Sequence, residues 1–355
     1  VALLRAGGAP ARLALALDFL GDALVDLGEL EEAKAQYLEG TAVLGSEDGL
    51  DFDTMTAALL VNGLGDVQRL LGAFEAADAA YQHVLRLFTR LADPWGLARA
   101  YNNLGILAGT RGDYPAAAGY FEQGLARFRE LGDRSGTARC LHNLSTLAFL
   151  RQDYAHCRDL RLACLDICRE IGFQWGVVST LKHLADVEKA LGELAAARGH
   201  YEESLAASER VLDPRSTALT LCGLADLSAR EGQHGRAWEA YQRALGLAVE
   251  TEMLPVAIDV LVGMAELLAA AGGVGAAVAL LGLVEGQTAV DQQTRDRAAA
   301  VLAGLAAQLP AAELSAHHAR GRQLALEDVS ARLRGMALHR FLILLQLFEG
   351  DGQAV

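Results

Sequence analysis

Apolar residues recur along this chain at i, i+3 and i+7: Leu64, Val67 and Leu71, and again Leu184, Val187 and Leu191. That spacing draws one stripe down an α-helix. A glycine follows each stripe, where a helix end needs a left-handed backbone that a residue without Cβ adopts freely. A second stripe then begins: Ala77, Tyr81, Leu85; Ala197, Tyr201, Leu205; Ala237, Tyr241, Leu245. Residues four apart share a helix face. The small residue lets two helices approach closely, and the ring fills the space beside it. The pattern therefore predicts pairs of helices joined by a tight turn.

The pair recurs every forty residues. The leucine of the first helix reads Leu64, Leu104, Leu144, Leu184, Leu224, Met264, and the turn reads Gly72, Gly112, Gln152, Gly192, Gly232, Gly272. The small residue reads Ala77, Ala117, Cys157, Ala197, Ala237, Ala277, and the large one Tyr81, Phe121, Arg161, Tyr201, Tyr241, Leu281. An earlier copy, with Leu20, Gly28, Ala33 and Tyr37, lies forty-four residues ahead. A fixed period of this length means stacked copies of one unit. Gln152 breaks the glycine rule at an expected cost of about 1 kcal/mol. Asp93-Pro94 and Asp213-Pro214 open the next copies, Asp capping free N–H groups and Pro fitting the first turn. Pro115 and Pro255 mark two further helix starts.

Residues 45–53 form an acidic insertion that reads as a longer loop. Beyond Leu281 the ruler stops. A polar connector at 287–293, helices at 295–309 and 311–319, and a turn into a last helix at 321–333 follow. The expected organisation is about seven helix pairs in 1–285, a helical cap in 286–335 that gives the stack a polar end, and an apolar tail in 336–355. The dense run at 341–345 is too short to span a bilayer.

Leu104-Gly105, the turn Gly112, and Ala117 followed four residues on by Phe121 resemble the tetratricopeptide repeat. The resemblance covers roughly residues 15–285. It implies an all-α, right-handed superhelical solenoid of antiparallel helix pairs. The period exceeds that family's usual length by six residues, all after the ring, which predicts a longer second helix and connector. HEAT-type repeats have a similar length but do not predict the Gly and Ala offsets. A second resemblance is carried by A-A-V-A-L-L-G-L-V-E at 276–285, R-D-R-A at 295–298 and H-A-R-G-R-Q-L-A-L-E-D-V at 318–329. This combination looks like the C-terminal end of bacterial signalling ATPase regulators of the STAND/LuxR type. It implies that the chain is a sensor arm, with an NTPase switch domain and an output domain outside it.

Composition adds limits. The 355 residues exceed what one compact core holds, whereas a repeat stack has no such bound. Apolar residues make up 52% and aromatics 6%, which suits closely packed helices. A net charge of −14 argues against direct nucleic-acid binding and is compatible with a basic partner. No apolar run long enough for a membrane span and no signal peptide is visible, so a cytoplasmic location is expected. Val1 in place of Met suggests a fragment or a processed chain. Five cysteines form no C-x-x-C pair, and Cys157 falls in the small-residue column. Buried small hydrophobes in a reducing compartment explain them.

No phosphate loop, H-E-x-x-H or G-x-S-x-G occurs. His317 and His318 are adjacent and point about 100° apart on a helix. No catalytic residue, cofactor or metal is therefore expected. Attention falls on the residue just before the helix leucine, which reads Gly63, Asn103, Asn143, His183, Gly223, Gly263. The family resemblance implies that this position faces the concave groove, where an Asn can hold a peptide backbone. Arg99 and Arg139 stand four residues earlier and Thr146 three later, on the same helix face. The candidate binding strip is Arg99, Asn103, Arg139, Asn143, Thr146 and His183. The plainer alternative is that these asparagines only decorate a solvated face. The expected function is a non-enzymatic scaffold for a protein or peptide partner, as the regulatory arm of a bacterial signal-transduction or transcriptional regulator. The alternatives are a stand-alone receptor for a short signalling peptide and, behind it, an enzyme or cofactor-binding protein.

Overall fold

Each turn in the glycine column is left-handed, from Gly28 at φ 80° to Gly272 at φ 88°, and Gln152 adopts the same conformation at φ 61°. The turn lets the chain reverse within three residues, so a second helix packs back on the first. The computed structural model describes residues 4–5, 9–45, 52–287, 290, 292–334 and 336. Among them are 17 helices and no strand. In chain order they are α1 (Pro10–Asp26), α2 (Leu30–Leu44), α3 (Phe52–Leu70), α4 (Phe74–Arg90), α5 (Pro94–Thr110), α6 (Tyr114–Glu130), α7 (Arg134–Leu150) and α8 (Tyr154–Glu170). Then come α9 (Gln174–Leu191), α10 (Leu194–Arg210), α11 (Pro214–Arg230), α12 (His234–Glu250), α13 (Leu254–Ala270) and α14 (Val274–Glu285). After these follow α15 (Gln292–Leu305), α16 (Ala311–Gly321) and α17 (Leu326–Leu333). The acidic insertion and the apolar run at 341–345 lie almost wholly outside the described residues.

The chain divides into two compact units, residues 1–172 and 173–355. In each, odd- and even-numbered helices up to α14 alternate as antiparallel partners. Ala33, Ala77, Ala117, Cys157, Ala197, Ala237 and Ala277 are all 0% exposed, which is why only a small residue is accepted there. The ring that follows is buried in every copy, including the charged Arg161. Within each unit the first helices of consecutive pairs touch one another: α1, α3, α5 and α7 in the first, α9, α11 and α13 in the second. Second helices make no comparable contact with each other among the described residues. The first helices therefore line the tighter, inner face of each unit.

Two sequence expectations change. Both helices of the complete forty-residue copies run 17 residues or close to it, so the extra length is not confined to the second helix. Leu144 is only half-buried against Phe121 and Leu147, while Leu104 and Leu184 are fully enclosed. The Asp-Pro starts behave as expected: Asp93 accepts from the Trp95 amide at 3.1 Å and Asp213 from the Ser216 amide at 3.0 Å. Asp113, Asp133 and Asp153 cap α6, α7 and α8 in the same way.

Candidate binding face

The inner face is organised by a bond between the ring of the second helix and a polar residue fifteen positions earlier. Tyr37 donates to Asp22 and Tyr81 to Asp66, each at 2.6 Å, and Tyr201 donates to Asp186 and Tyr241 to Asp226. The tyrosine also explains the glycines of the candidate column. A Cβ on Gly223 would lie 2.4 Å from the Tyr201 ring, so the ring passes only where the side chain is missing. Gly63 and Gly263 accommodate Tyr37 and Tyr241 in the same way. In the central copies the column carries Asn103, Asn143 and His183 instead, although Tyr81 precedes Asn103 by the same spacing as Tyr201 precedes Gly223.

Those asparagines form a continuous chain of amides across three first helices of the first unit. Asn62 Nδ2 donates to Asp66 Oδ2 at 3.1 Å, and Asn103 Nδ2 donates to Asn62 Oδ1 at 2.9 Å. Asn102 Nδ2 donates to Asn103 Oδ1 at 3.4 Å, and Asn143 Nδ2 donates to Asn102 Oδ1 at 3.0 Å. The Cys140 thiol points at the same Asn102 oxygen from 3.8 Å. Asn62 and Asn102 are buried, while Asn103 and Asn143 are half-exposed. Each amide has two donors and a two-lone-pair acceptor. The chain uses half of that capacity and holds the exposed amides in fixed orientation.

Charge flanks the chain on both sides. Burial pushes the Asp66 carboxyl up, while the Tyr81 hydroxyl, Arg69 and Arg99 oppose this. Asp18 is buried with no hydrogen bond from a described residue; burial and then Asp22 push it up to about 6, against the pull of Arg99. Arg99 is half-buried, with its guanidinium 5.6 Å from the Trp95 ring centroid. Arg139 is exposed and stands 5.9 Å over the Phe128 ring. At the far side Arg161 reaches His142 Nδ1 at 2.7 Å and Thr146 Oγ1 at 3.2 Å. Burial and then Arg161 lower His142 to about 4, so it stays neutral and accepts this bond.

The structure thus brings Arg99, Asn103, Asn143 and Thr146 onto one inner face, with Arg139 beside them. Thr146 is engaged by Arg161 and also donates to the His142 carbonyl at 3.1 Å. His183 lies in the second unit, its Nδ1 2.7 Å from the Ser179 carbonyl. Sequence reasoning missed Asn62, Asn102, His142, Arg161 and Asp66. Its ruler followed one column, whereas the amides alternate between that column and the one before it. The doublet Asn102-Asn103, and Asp66 one helical turn after Asn62, were the available signals.

The inner face of the second unit carries compensated charge. Lys182 pairs with Asp186 at 2.9 Å and Lys189 with Asp226 at 3.2 Å. Burial would raise Asp186, but Lys182, Lys189 and Tyr201 hold it below the usual carboxylate range. At the last pair, Arg297 of α15 lies 2.9 Å from Asp259 and forks onto Glu266 at 2.9 and 2.7 Å. Asp259 and Glu266 stand where Arg99 and Ile106 stand in α5, so the chain itself covers that stretch. No group of three His, Cys, Asp or Glu that could hold a metal occurs among the described residues. The cysteines are buried, and burial pushes the Cys140 thiol up to about 12, far from a reactive thiolate.

The geometry agrees with known proteins. The sequence profile of the tetratricopeptide repeat matches residues 55–130 and 176–248. The stretch between them contains α7 and α8, where Gln152 and Arg161 depart from the pattern. No curated protein sequence matches the chain. A Rap protein solved in complex with competence and sporulation factor shares the fold, with a TM-score of 0.57 and 15% identity over 91% of this chain and all of that one. BtubC (BKLC) from P. vanneervenii matches with a TM-score of 0.56 and 19% identity over 63% of this chain and 92% of that one. The apo form of RapI gives 0.55 and 13% over 78% and 98%. These likenesses are of fold. The chain is an all-helical repeat scaffold that carries tetratricopeptide repeats over residues 55–130 and 176–248.

Proposed function

We propose that the inner face of the first unit binds an extended peptide or an unfolded segment of a partner protein, without chemistry. The observation that carries this reading is the amide chain from Asn62 to Asn143. An extended backbone repeats one N–H and one C=O per residue and needs partners that offer both. Asn103 and Asn143 offer both and are already oriented, which lowers the entropy lost on binding. Arg99 and Arg139 flank them with forked donors suited to a carboxylate. The Rap protein solved with a competence and sporulation factor offers a precedent on the same fold.

In this reading the chain is the regulatory arm of a bacterial signal-transduction or transcriptional regulator. It works in the cytoplasm and passes a change in its inner face to an NTPase switch domain outside this sequence. The motifs at 276–285, 295–298 and 318–329 support that context. No helix among the described residues is long and apolar enough to cross a membrane. The second reading, a stand-alone receptor for a short signalling peptide, uses the same face and requires no attached switch.

The test is retention of a random pentapeptide library with free termini on the immobilised chain. Wild type is compared with the double variant Asn103→Ala, Asn143→Ala at equal helicity. Losing two neutral hydrogen-bonding amides should cut retention roughly tenfold or more. Equal retention by the two proteins would remove the binding face from consideration.

A further inference from the structure

The amide chain has a direction, and a single carboxylate sets it. As a carboxylate, Asp66 can only accept. Tyr81 fills its Oδ1 at 2.6 Å, and Asn62 Nδ2 fills its Oδ2 at 3.1 Å. Burial and Asp22 push the Asp66 carboxyl up, while Tyr81, Arg69 and Arg99 favour its ionised form. Asn62, having turned its N–H groups to Asp66, shows its oxygen to Asn103. Asn103 must answer with N–H and so turns its oxygen to Asn102. Asn102 repeats the step, and its oxygen receives Asn143 Nδ2 at 3.0 Å. What is left at the end is Asn143 Oδ1, which accepts no hydrogen bond from a described residue and sits on a half-exposed side chain. Reversing any one amide alone would set two oxygens or two N–H groups face to face. That mismatch leaves buried polar groups unsatisfied. Donors in series also polarise one another.

We propose that Asp66 is the positioning residue of this face, fixing Asn143 two repeats away as an acceptor, and that the bound peptide meets Asn143 Oδ1 with an N–H group. The inference rests on the peptide-binding reading above and adds the polarity of the contact. It defines the ligand group that meets Asn143 Oδ1 as a backbone amide N–H or an ammonium, not a carbonyl. Asp66 itself touches no ligand in this scheme. Its carboxylate acts only through Asn62, Asn103 and Asn102.

The deciding variant is Asp66→Asn. A carboxamide at position 66 still accepts from Tyr81, and it can also donate to Asn62. Both directions of the chain then become available, including one in which Asn143 shows N–H outward. Side-chain amide NMR of Asn102, Asn103 and Asn143 reads this without any ligand. One set of resonances in wild type, and doubled or exchange-broadened resonances in Asp66→Asn, is the expected result. Should that variant lose helicity, Asn62→Ala cuts the same link and must disturb the same resonances. Retention of the random pentapeptide library should fall about two- to tenfold in Asp66→Asn, the effect of one neutral hydrogen bond. An N-acetylated, lysine-free library with every backbone amide N-methylated should not be retained above the Asn143→Ala background. Unchanged amide resonances in both variants, or equal retention of the methylated library, would overturn the proposal. Disturbed resonances with no retention of either library by wild type would uphold the ordering role of Asp66 and sink the peptide-binding reading instead.

Discussion

Tyr201 donates its hydroxyl hydrogen to Asp186, fifteen residues earlier on the facing helix, and the pair changes as one from copy to copy. Where the ring is Phe121, the partner is Ile106, and the two pack together. Where the ring is Arg161, the partner is Thr146, at 3.2 Å. Tyrosine otherwise faces aspartate at Asp22, Asp66 and Asp226. A partly buried carboxylate that loses a donor is less well solvated, which couples the two positions.

Tyr201→Phe should therefore destabilise the chain by about 1 kcal/mol, since the half-buried Asp186 loses the hydroxyl and keeps Lys182 as its partner. Adding Asp186→Ile recreates the Phe121–Ile106 combination and should recover most of that loss. Urea-unfolding midpoints of the two single variants and the double variant decide this. A double variant less stable than Tyr201→Phe alone would show that the pair is not interchangeable.

The leucine column is not uniform in its cost. Leu184 is 0% exposed, and Leu184→Ala should cost about 2–5 kcal/mol through the cavity it leaves. Leu144 is half-buried, so Leu144→Ala should cost roughly half as much or less. Thermal unfolding of the two variants side by side should rank them in that order.

Leu212 sits in the turn after α10 at φ 55°, and its side chain is 83% exposed. Gly132 and Gly172 fill the equivalent place in two other copies. Leu212→Gly should raise stability by about 0.5–1 kcal/mol by relieving a left-handed strain that no packing offsets. A lower unfolding midpoint would show that the leucine packs against something in solution.

Asp18 gives a dependence on pH. Its folded-state value, about 6, lies above its ordinary 3.8, so the folded chain holds the proton more tightly. The stability this group contributes is full below about pH 4 and is lost as pH rises through 6. Asp18→Asn removes that loss. It should raise the melting temperature at pH 7.5 and leave it nearly unchanged at pH 3.5. His142 works in the opposite sense, its contribution being lost as pH falls from 6.5 toward 4. The Asp18 variant isolates one of the two.

The helix pairs were legible because every landmark has a local cause. The turn needs a left-handed residue, the Ala column needs contact without bulk, and Asp-Pro starts a helix. Gln152 shows how literal the ruler is, since it takes φ 61° without being glycine. The second turn of each copy was less legible, because Ala92, Leu212 and Glu252 hold the same strained backbone with nothing in their side chains to announce it. The binding face was half legible. Asn103 and Asn143 follow from one column, but Asn62 joins Asn103 across forty-one positions, and no local periodicity links them. Arg161 reads as a defect in the ring column, and only its contacts with His142 and Thr146 show what replaced the tyrosine.

Hydrogen exchange, with and without the pool of pentapeptides retained by the wild-type chain, tests the central claim most directly. Slowed exchange should concentrate in α5 and α7, whose exposed amides would be covered. Exchange in α13, already held by Arg297 through Asp259 and Glu266, should not change. Protection confined to α13 or to the even-numbered helices, with α5 and α7 unaltered, would contradict the account.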